Sequence, residues 1–402
     1  MDRAGSVSVC LCHGCRSSSA NRGGWHPLSR SCTVPGDRPF RTGGRPKLLM
    51  LTRHQRLGSS SRLRLLDYRP YLEAQGWSIA VGYFYDDPYL QRLNAGRRGL
   101  LSAVPGALLR RVTQLFNARG FDLLWIEKEL FPFLPGLFER LAYWHRLAYV
   151  VDYDDATFHR YDQHTSWFIR TALSNKLAPL LRSAAAVTCC NAYLAERLAA
   201  LGASAVTEIP TVVDPTRYQL AQHRAGDELR IGWIGSPSTA RSLDLVREPL
   251  EALGRRIPLR LVVIGAAVDP KIKVPTERHP WSEDTETGLL QTLDLGIMPL
   301  SNRPWEQGKC GYKLIQYMAS GLPVVASAVG ANRSVVSAET GFLVTDPSEW
   351  LAALTRLAED CALRMAFGRA ARIRAEQHYS IQMSAPVVAS VLRSAFNGVR
   401  GP

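Results

Sequence analysis

Residues 229–265 read LRIGWIGSPSTARSLDLVREPLEALGRRIPLRLVVIG. An apolar run ends on Gly235, a Ser-Pro-Ser-Thr turn opens a helical stretch reaching about residue 253, and a second apolar run ends on Gly265. Short apolar strands joined through a helix mark a parallel sheet covered on both faces. The same order stands earlier in the chain. Residues 47–53 (KLLMLTR) precede Gly58-Ser59-Ser60-Ser61, a helix through Leu72 to about residue 75, and the strand SIAVGYF at 78–84. Working outward, strands are expected at 122–126, 148–152, 185–189 and 206–210, and a polar linker at 214–227. After the restart they are expected at 294–299, 323–327 and 341–344. Helices are expected at 107–118, 311–320, 347–359, 363–377 and 381–396. The expected class is α/β, with two doubly wound, Rossmann-like domains facing across a cleft. Their bounds are 47–215 and 228–380, with a C-terminal helix at 381–398 returning to the first domain. A chain of 402 residues suits two such domains at roughly 150 residues each.

Composition narrows the class further. Apolar residues are 46% and charged residues 21%, which excludes a chain disordered throughout, collagen and coiled coil. The sequence holds no run of about 18 apolar residues, so a membrane span is not expected. The net charge is +14, and 42 of the 49 basic residues are Arg. Such a surface suits nucleic acid, anionic lipid or a phosphorylated small substrate. RNA-binding aromatics, zinc-finger spacing and a recognition helix are absent from the pattern, so nucleic acid is not an expected partner.

Residues 1–46 differ from the rest, being rich in Arg, Ser, Gly and Pro without an apolar period. Cys10, Cys12, Cys15 and Cys32, with His13 and His26 nearby, could hold a metal through C-x-C-x-x-C. The reading preferred here is a disordered leader, or a start assigned upstream of a true beginning near Met50. Cys189, Cys190, Cys310 and Cys361 fall within expected elements without disulfide spacing, and a reducing, cytoplasmic setting is expected.

Four stretches carry chemistry. The first is 304–336, PWEQGKCGYKLIQYMASGLPVVASAVGANRSVV. Helical spacing places Lys309, Lys313, Gln316, Tyr317 and Ser320 on one face. A lysine at a helix N-terminus opposes the macrodipole, a cost that a bound anion offsets. Two of only seven Lys fall in this one turn; the plainer alternative is a solvated polar face. The second is IGWIGSPSTAR at 231–241. Here Ser236 is an expected N-cap and Pro237 an expected first helical residue, and the N–H groups of the first turn favour phosphate oxygens. It is equally a well-made strand-to-helix turn. The third is the turn RLGSSSRLR at 56–64, a loop that can approach phosphate or serve only as a surface turn. The fourth is Asp152-Tyr153-Asp154-Asp155, with His159 and His164 nearby. A D-x-D pattern suits a metal-dependent transferase, but that architecture carries one nucleotide domain and this chain repeats the α/β pattern twice. Asp capping a helix is the structural alternative.

The stretch 304–336 resembles the C-terminal domain of the GT-B glycosyltransferases, specifically the large retaining family 4. That family carries E-x7-E followed by A-M-A-x-G-x-P-V-V-A-[ST]-x-V-G-G. Met318 to Ser327 and Val329-Gly330 match. The two glutamate positions fall on Gly308 and Gln316, and the later one on Ser334. A subset of the family resembles GKCGYKLIQYMA, so a variant site is expected. The resemblance covers about 47–390 and is specific from 304 to 345.

The resemblance implies an N-terminal acceptor domain and a C-terminal nucleotide-sugar domain. It implies a retaining, metal-independent transfer from a nucleotide-diphosphate sugar to a glycan or lipid-linked acceptor, with no cofactor. Lys313, Lys309, Asp154 and Asp155 are the expected catalytic residues. Gly235, Ser236, Ser238, Thr239, Arg241, Gln316, Gly58 and Gly330 are expected to hold the donor. Gln316 would bond ribose as a neutral group, and Glu306 would substitute for the glutamate missing at Gly308 if its loop bends. The amphipathic stretch 100–119, with Arg110, Arg111 and Arg119, either packs inside a domain or rests on an anionic membrane at its inner face. Two alternatives remain: a non-catalytic sugar-nucleotide or glycan binding protein, motivated by the missing glutamates, and a nucleotide-sugar epimerase.

Overall fold

The computed structural model describes residues 44–96, 100–221, 228–266 and 272–399. The cysteines of the leader and residues 222–227 of the linker lie outside the described residues.

Two six-stranded sheets form, each wholly parallel. The first contains β1 (Lys47–His54), β2 (Ser78–Tyr85), β3 (Leu123–Glu127), β4 (Ala148–Tyr153), β5 (Ala186–Cys189) and β6 (Val206–Glu208) in the order β2-β1-β3-β4-β5-β6. The second contains β7 (Leu229–Ile234), β8 (Leu259–Ile264), β9 (Thr276–His279), β10 (Leu295–Met298), β11 (Val324–Ser327) and β12 (Gly341–Val344) in the order β12-β11-β10-β7-β8-β9. The order reverses beside β1 in one sheet and beside β7 in the other. Loops beyond the carboxyl ends of those strands are therefore splayed apart, and there open α/β sheets take ligands. Met50 is fully buried in the middle of β1, whose pairing begins at Lys47.

The relevant helices are α1 (Ser59–Arg64), α2 (Val104–Phe116), α3 (Ala192–Ala200), α4 (Arg247–Gly254), α5 (Pro304–Gln307), α6 (Tyr312–Ala319), α7 (Pro347–Glu359), α8 (Cys361–His378) and α9 (Ile381–Val399). Each sheet is apolar on both faces. Leu49, Leu51 and Ile126 pack one way while Leu48, Met50 and Trp125 pack the other. The last helix, α9, lies on the first sheet: Val388, Leu392 and Phe396 pack with Met50, Trp77 and Trp125. Phe396→Ala would cost about 3–5 kcal/mol as a large buried side chain removed from that face.

Three features add to or correct what the sequence led one to expect. Thr276–His279 (TERH) is a strand with no apolar signal, because it sits at the sheet edge beside β8 and is not buried on both faces. Residues 237–246 form a 3₁₀ run before α4 starts, and not one continuous α-helix. For the face assigned to Lys309, Lys313, Gln316, Tyr317 and Ser320, the solvated alternative does not hold. The helix begins after Lys309, and Gln316, Tyr317 and Ser320 are buried. The Ile234 N–H donates to the Tyr317 hydroxyl at 2.8 Å, fixing α6 against β7.

In α2 the described arginines turn toward protein. Arg111 is buried and donates to the Thr52 carbonyl at 2.6 Å; Arg110 donates to the Phe84 carbonyl at 2.8 Å. Leu109 and Phe116 are exposed, and Trp144 meets Phe116 edge-on at 5.2 Å.

Candidate functional site

At the carboxyl end of β7 the chain is bare. A Cβ at Gly235 would lie 2.6 Å from the Lys313 Nζ, 2.7 Å from the Trp233 ring and 2.9 Å from the Thr239 hydroxyl, so only glycine fits. Gly265, at the end of β8, takes φ +87, and a Cβ there would stand 2.7 Å from the Gly235 carbonyl oxygen. Two adjacent strand ends thus present backbone, and the first of them, β7, borders the reversal of strand order.

Lys313 stands in the first turn of α6, which Gly311 opens with a left-handed φ of 71. Its ammonium lies 4.0 Å from the centre of the Trp233 ring. Among the described residues no carboxylate pairs with it. Burial, and then the nearby charge of Lys309, push its pKa down to about 7. The fold therefore holds a desolvated, unpaired amine at a helix N-terminus beside a glycine strand end. A bound anion would return the charge that burial withdraws.

The loop after Gly235 offers fewer donors than an α-helix start. Ser236 was the expected cap, but its hydroxyl bonds the Ser238 hydroxyl at 2.9 Å and caps nothing. The Thr239 N–H and hydroxyl both donate to the Ser236 carbonyl, at 3.0 and 2.9 Å. The reason is the 3₁₀ geometry: its i to i+3 bonds engage an N–H one residue earlier than α-helical bonds do. Arg241 is exposed and makes no ion pair among the described residues.

Lys309 is differently placed. Its ammonium bonds Asp155 at 2.8 Å and lies 5.3 Å from the Trp305 ring. Burial opposes its charge, but Asp155 outweighs burial and raises its pKa. Asp154 is buried and bonds Lys128 at 2.7 Å; although burial favours its neutral form, Lys128 lowers its pKa to about 2. A carboxylate so stabilised is a weak proton acceptor. Asp152, the first carboxylate of the D-x-D pattern, is held by the Arg64 guanidinium at 2.7 and 2.9 Å and by the Thr188 hydroxyl at 2.6 Å. His159 bonds Asp162 and Tyr193, each at 2.7 Å.

Gly58 and Gly330, two of the glycines expected at the donor, have close chain neighbours. The Gly58 N–H donates to the Gln55 carbonyl at 3.1 Å, and a Cβ there would stand 2.5 Å from the His54 Cβ. The Gly330 N–H donates to the Gln307 side chain at 3.0 Å. Gln316, expected at the ribose, is buried and donates to the Tyr218 hydroxyl at 3.4 Å. As a neutral amide it joins a buried set in which Tyr218 bonds Glu286 at 3.4 Å and Trp281 bonds Glu286 at 2.7 Å. Gly308 has a direct reason: a Cβ there would lie 2.6 Å from the Ala156 Cβ and 2.8 Å from its nitrogen. The second lobe touches the first at this residue. Glu306 leaves one carboxylate oxygen buried without a hydrogen-bond partner.

Several further residues take part. Lys128, at φ 62, follows β3 and reaches Asp154, Ser60 (3.0 Å) and Asp155 (3.8 Å). Asn191 donates to the carbonyls of Gln307 and Lys309 at 3.2 and 3.0 Å, joining the lobes. Arg56, Arg62 and Arg217 converge on Glu283, with Arg62 5.0 Å from the Trp281 ring. The run Glu127-Lys128-Glu129 immediately after a buried strand was the available signal, since charges rarely enter a protein interior unless paired.

Residues 228–360 match the family model described as Glycosyl transferases group 1. A D-inositol 3-phosphate glycosyltransferase from Paenarthrobacter aurescens (strain TC1) is 30% identical over 132 residues, 32% of this chain and 31% of that protein. One from Kineococcus radiotolerans is 28% identical, over 42% of this chain and 48% of that protein. The matched region thus spans between about a third and a half of these relatives' length. Among solved structures, Anabaena HepE in complex with UDP-glucose superposes with a TM-score of 0.64 at 17% identity, covering 87% of this chain and 99% of that one. The sucrose-phosphate synthase of Thermosynechococcus elongatus gives 0.65 at 17%, covering 88% and 100%. WaaG, a glycosyltransferase involved in lipopolysaccharide biosynthesis, gives 0.61 at 14%, covering 86% and 99%. Together they establish the GT-B fold for both sheets.

Proposed function

From its place among the group 1 glycosyltransferases, carried by residues 228–360, and its GT-B fold, we propose that this chain transfers a sugar from a nucleotide-diphosphate donor to a glycan or lipid-linked acceptor. The observation that carries the proposal is the unpaired Lys313 ammonium against Gly235 at the strand-order reversal. Departure of the diphosphate concentrates negative charge where this amine, the N-terminus of α6 and the loop of Ser236, Ser238 and Thr239 converge. Fixed positive groups aimed at that charge lower the barrier. The acceptor hydroxyl attacks from the face the diphosphate leaves, which retains the anomeric configuration. That Asp152 is occupied by Arg64 supports transfer without a metal, because the D-x-D pair is not free to hold one. Closure of the lobes excludes water and limits donor hydrolysis.

The test is release of UDP or GDP from a panel of nucleotide sugars with mixed acceptors, in excess EDTA. Turnover in EDTA supports the reading, and loss restored by Mn²⁺ overturns its metal-free part. A specific observation favours a second reading, a sugar-nucleotide binding protein: Asp154, Asp155 and Lys309 are all ion-paired, so none stands ready as base or anion donor. Tight donor binding without turnover on any acceptor would select it.

A lipid-linked acceptor implies contact with an anionic membrane at the cytoplasmic face. No helix among the described residues is long and apolar enough to cross a membrane. The exposed Leu109, Phe116 and Trp144, rather than the inward-turned Arg110 and Arg111, are the side chains placed to enter an interface. Co-sedimentation with anionic vesicles that is lost in Leu109→Asp/Phe116→Asp supports the contact; unchanged sedimentation removes these residues from it.

A further inference from the structure

Cys190 follows β5 in the first lobe, and Cys310 lies between α5 and α6 in the second. Although 120 positions apart in the chain, they meet. Cys190 is buried in the hydrophobic cluster of the first sheet, and Cys310 packs against that same cluster. Asn191, the next residue after Cys190, donates to the carbonyls of Gln307 and Lys309, which fixes the register of the two segments. Lys309, the residue before Cys310, is tied to Asp155 at 2.8 Å, and the Cys190 thiol donates to the Asp154 carbonyl at 3.5 Å. The shared cluster and these bonds bring the two cysteines together at the seam between the lobes. Cys189 does not share this position. It is the last residue of β5, and its thiol donates to the Asn191 carbonyl at 3.6 Å.

We propose that Cys190 and Cys310 form a reversible disulfide that ties the first lobe to the loop carrying Lys309. The inference is independent of the sugar-transfer reading. The pair is chemically unequal, as sequential exchange requires. The Cys190 thiol lowers the pKa of Cys310, which is part-exposed, whereas burial raises the pKa of Cys190. Cys310 is therefore the attacking thiolate and Cys190 the resolving thiol. With a small-molecule disulfide such as oxidised glutathione as oxidant, the Cys310 thiolate forms a bond to one glutathione sulfur and expels the other as thiolate. Cys190 then loses its proton, attacks the Cys310 sulfur and expels the second glutathione. Two cysteine thiols are oxidised, one glutathione disulfide is reduced to two thiols, and the two protons pass to those thiols. Once formed, the bond prevents residues 308–311 from leaving the first lobe, so the oxidised chain is held in the arrangement where Lys309 sits on Asp155.

The full chain is incubated with oxidised glutathione, free thiols are blocked with iodoacetamide, and the unreduced tryptic digest is analysed by mass spectrometry. The expected product joins peptide 183–197, alkylated once at Cys189, to peptide 310–313, two hydrogens lighter than the sum of the alkylated and free peptides. It persists in Cys189→Ala, which assigns the linkage to Cys190, and disappears in Cys310→Ser and on addition of dithiothreitol. The oxidised chain also melts at a higher temperature than the reduced one, a gain absent in Cys310→Ser. Recovery of Cys310 only as its glutathione adduct or its alkylated thiol, in wild type and in Cys189→Ala, would overturn the proposal. So would a linkage that moves to Cys189.

Discussion

The Lys309 ammonium crosses from the second lobe to Asp155 of the first, 2.8 Å away, while Lys313, in the first turn of the helix that follows, meets no carboxylate among the described residues and rests over Trp233. Two lysines four residues apart are thus in opposite electrostatic states. One is a clasp between lobes, and the other is a cation seated where an anion is lacking.

Removing that seated cation should damage the chemical step. Lys313→Ala is expected to lower kcat on the order of 100-fold, as loss of one charge-stabilising donor does elsewhere. Initial rates of nucleoside diphosphate release across a donor panel measure it, and a near-normal rate would exclude Lys313 from the site.

The same lysine should impose a pH dependence on both binding and stability. With its pKa near 7 in the free chain, affinity for UDP or GDP is expected to fall as pH rises through that value, with proton uptake on binding at the alkaline side. Calorimetry in buffers of different ionisation enthalpy detects the proton. For stability the sign is the reverse of a salt bridge. The unfolded lysine, with its ordinary pKa of 10.5, holds its proton more firmly, so the cost of burying it is full below about pH 7 and fades as pH rises toward 10.5. Lys313→Met should therefore raise Tm more at about pH 6 than at about pH 10.

Asp154 and Lys128 behave as the ordinary case. The Asp154 carboxyl is held at about 2, below its usual 3.8, so its contribution is present above that usual value and lost as pH falls through about 2. Lys128→Met strands a buried carboxylate and is expected to cost about 3–5 kcal/mol in urea unfolding at neutral pH. Lys128→Met combined with Asp154→Asn should recover part of that loss.

Restoring the glutamate that family 4 carries at position 308 should not help. Gly308→Glu drives a Cβ to 2.6 Å from that of Ala156, and overpacking of this kind costs about 1–3 kcal/mol. The expected outcome is a lower Tm with no gain in turnover. A faster enzyme of unchanged stability would show that the lobes do not meet there during the reaction.

Much of this was legible along the chain. Runs such as LLML at 48–51 and LVVI at 261–264 can only be buried on both faces, so two parallel sheets followed from them, and Gly235 and Lys313 stood out as a bare strand end and an oddly placed cation. What could not be read was which charges meet. Asp155 and Lys309 are 154 positions apart, and nothing local tells either residue that the other neutralises it. The polar edge strand Thr276–His279 was invisible for a related reason, since its stability comes from pairing with β8 rather than from burial of its own side chains. Periodic apolar burial is written in neighbouring residues, whereas ion pairing, the meeting of Cys190 and Cys310 and the steric need for Gly308 arise only when two lobes are brought to within a few ångströms.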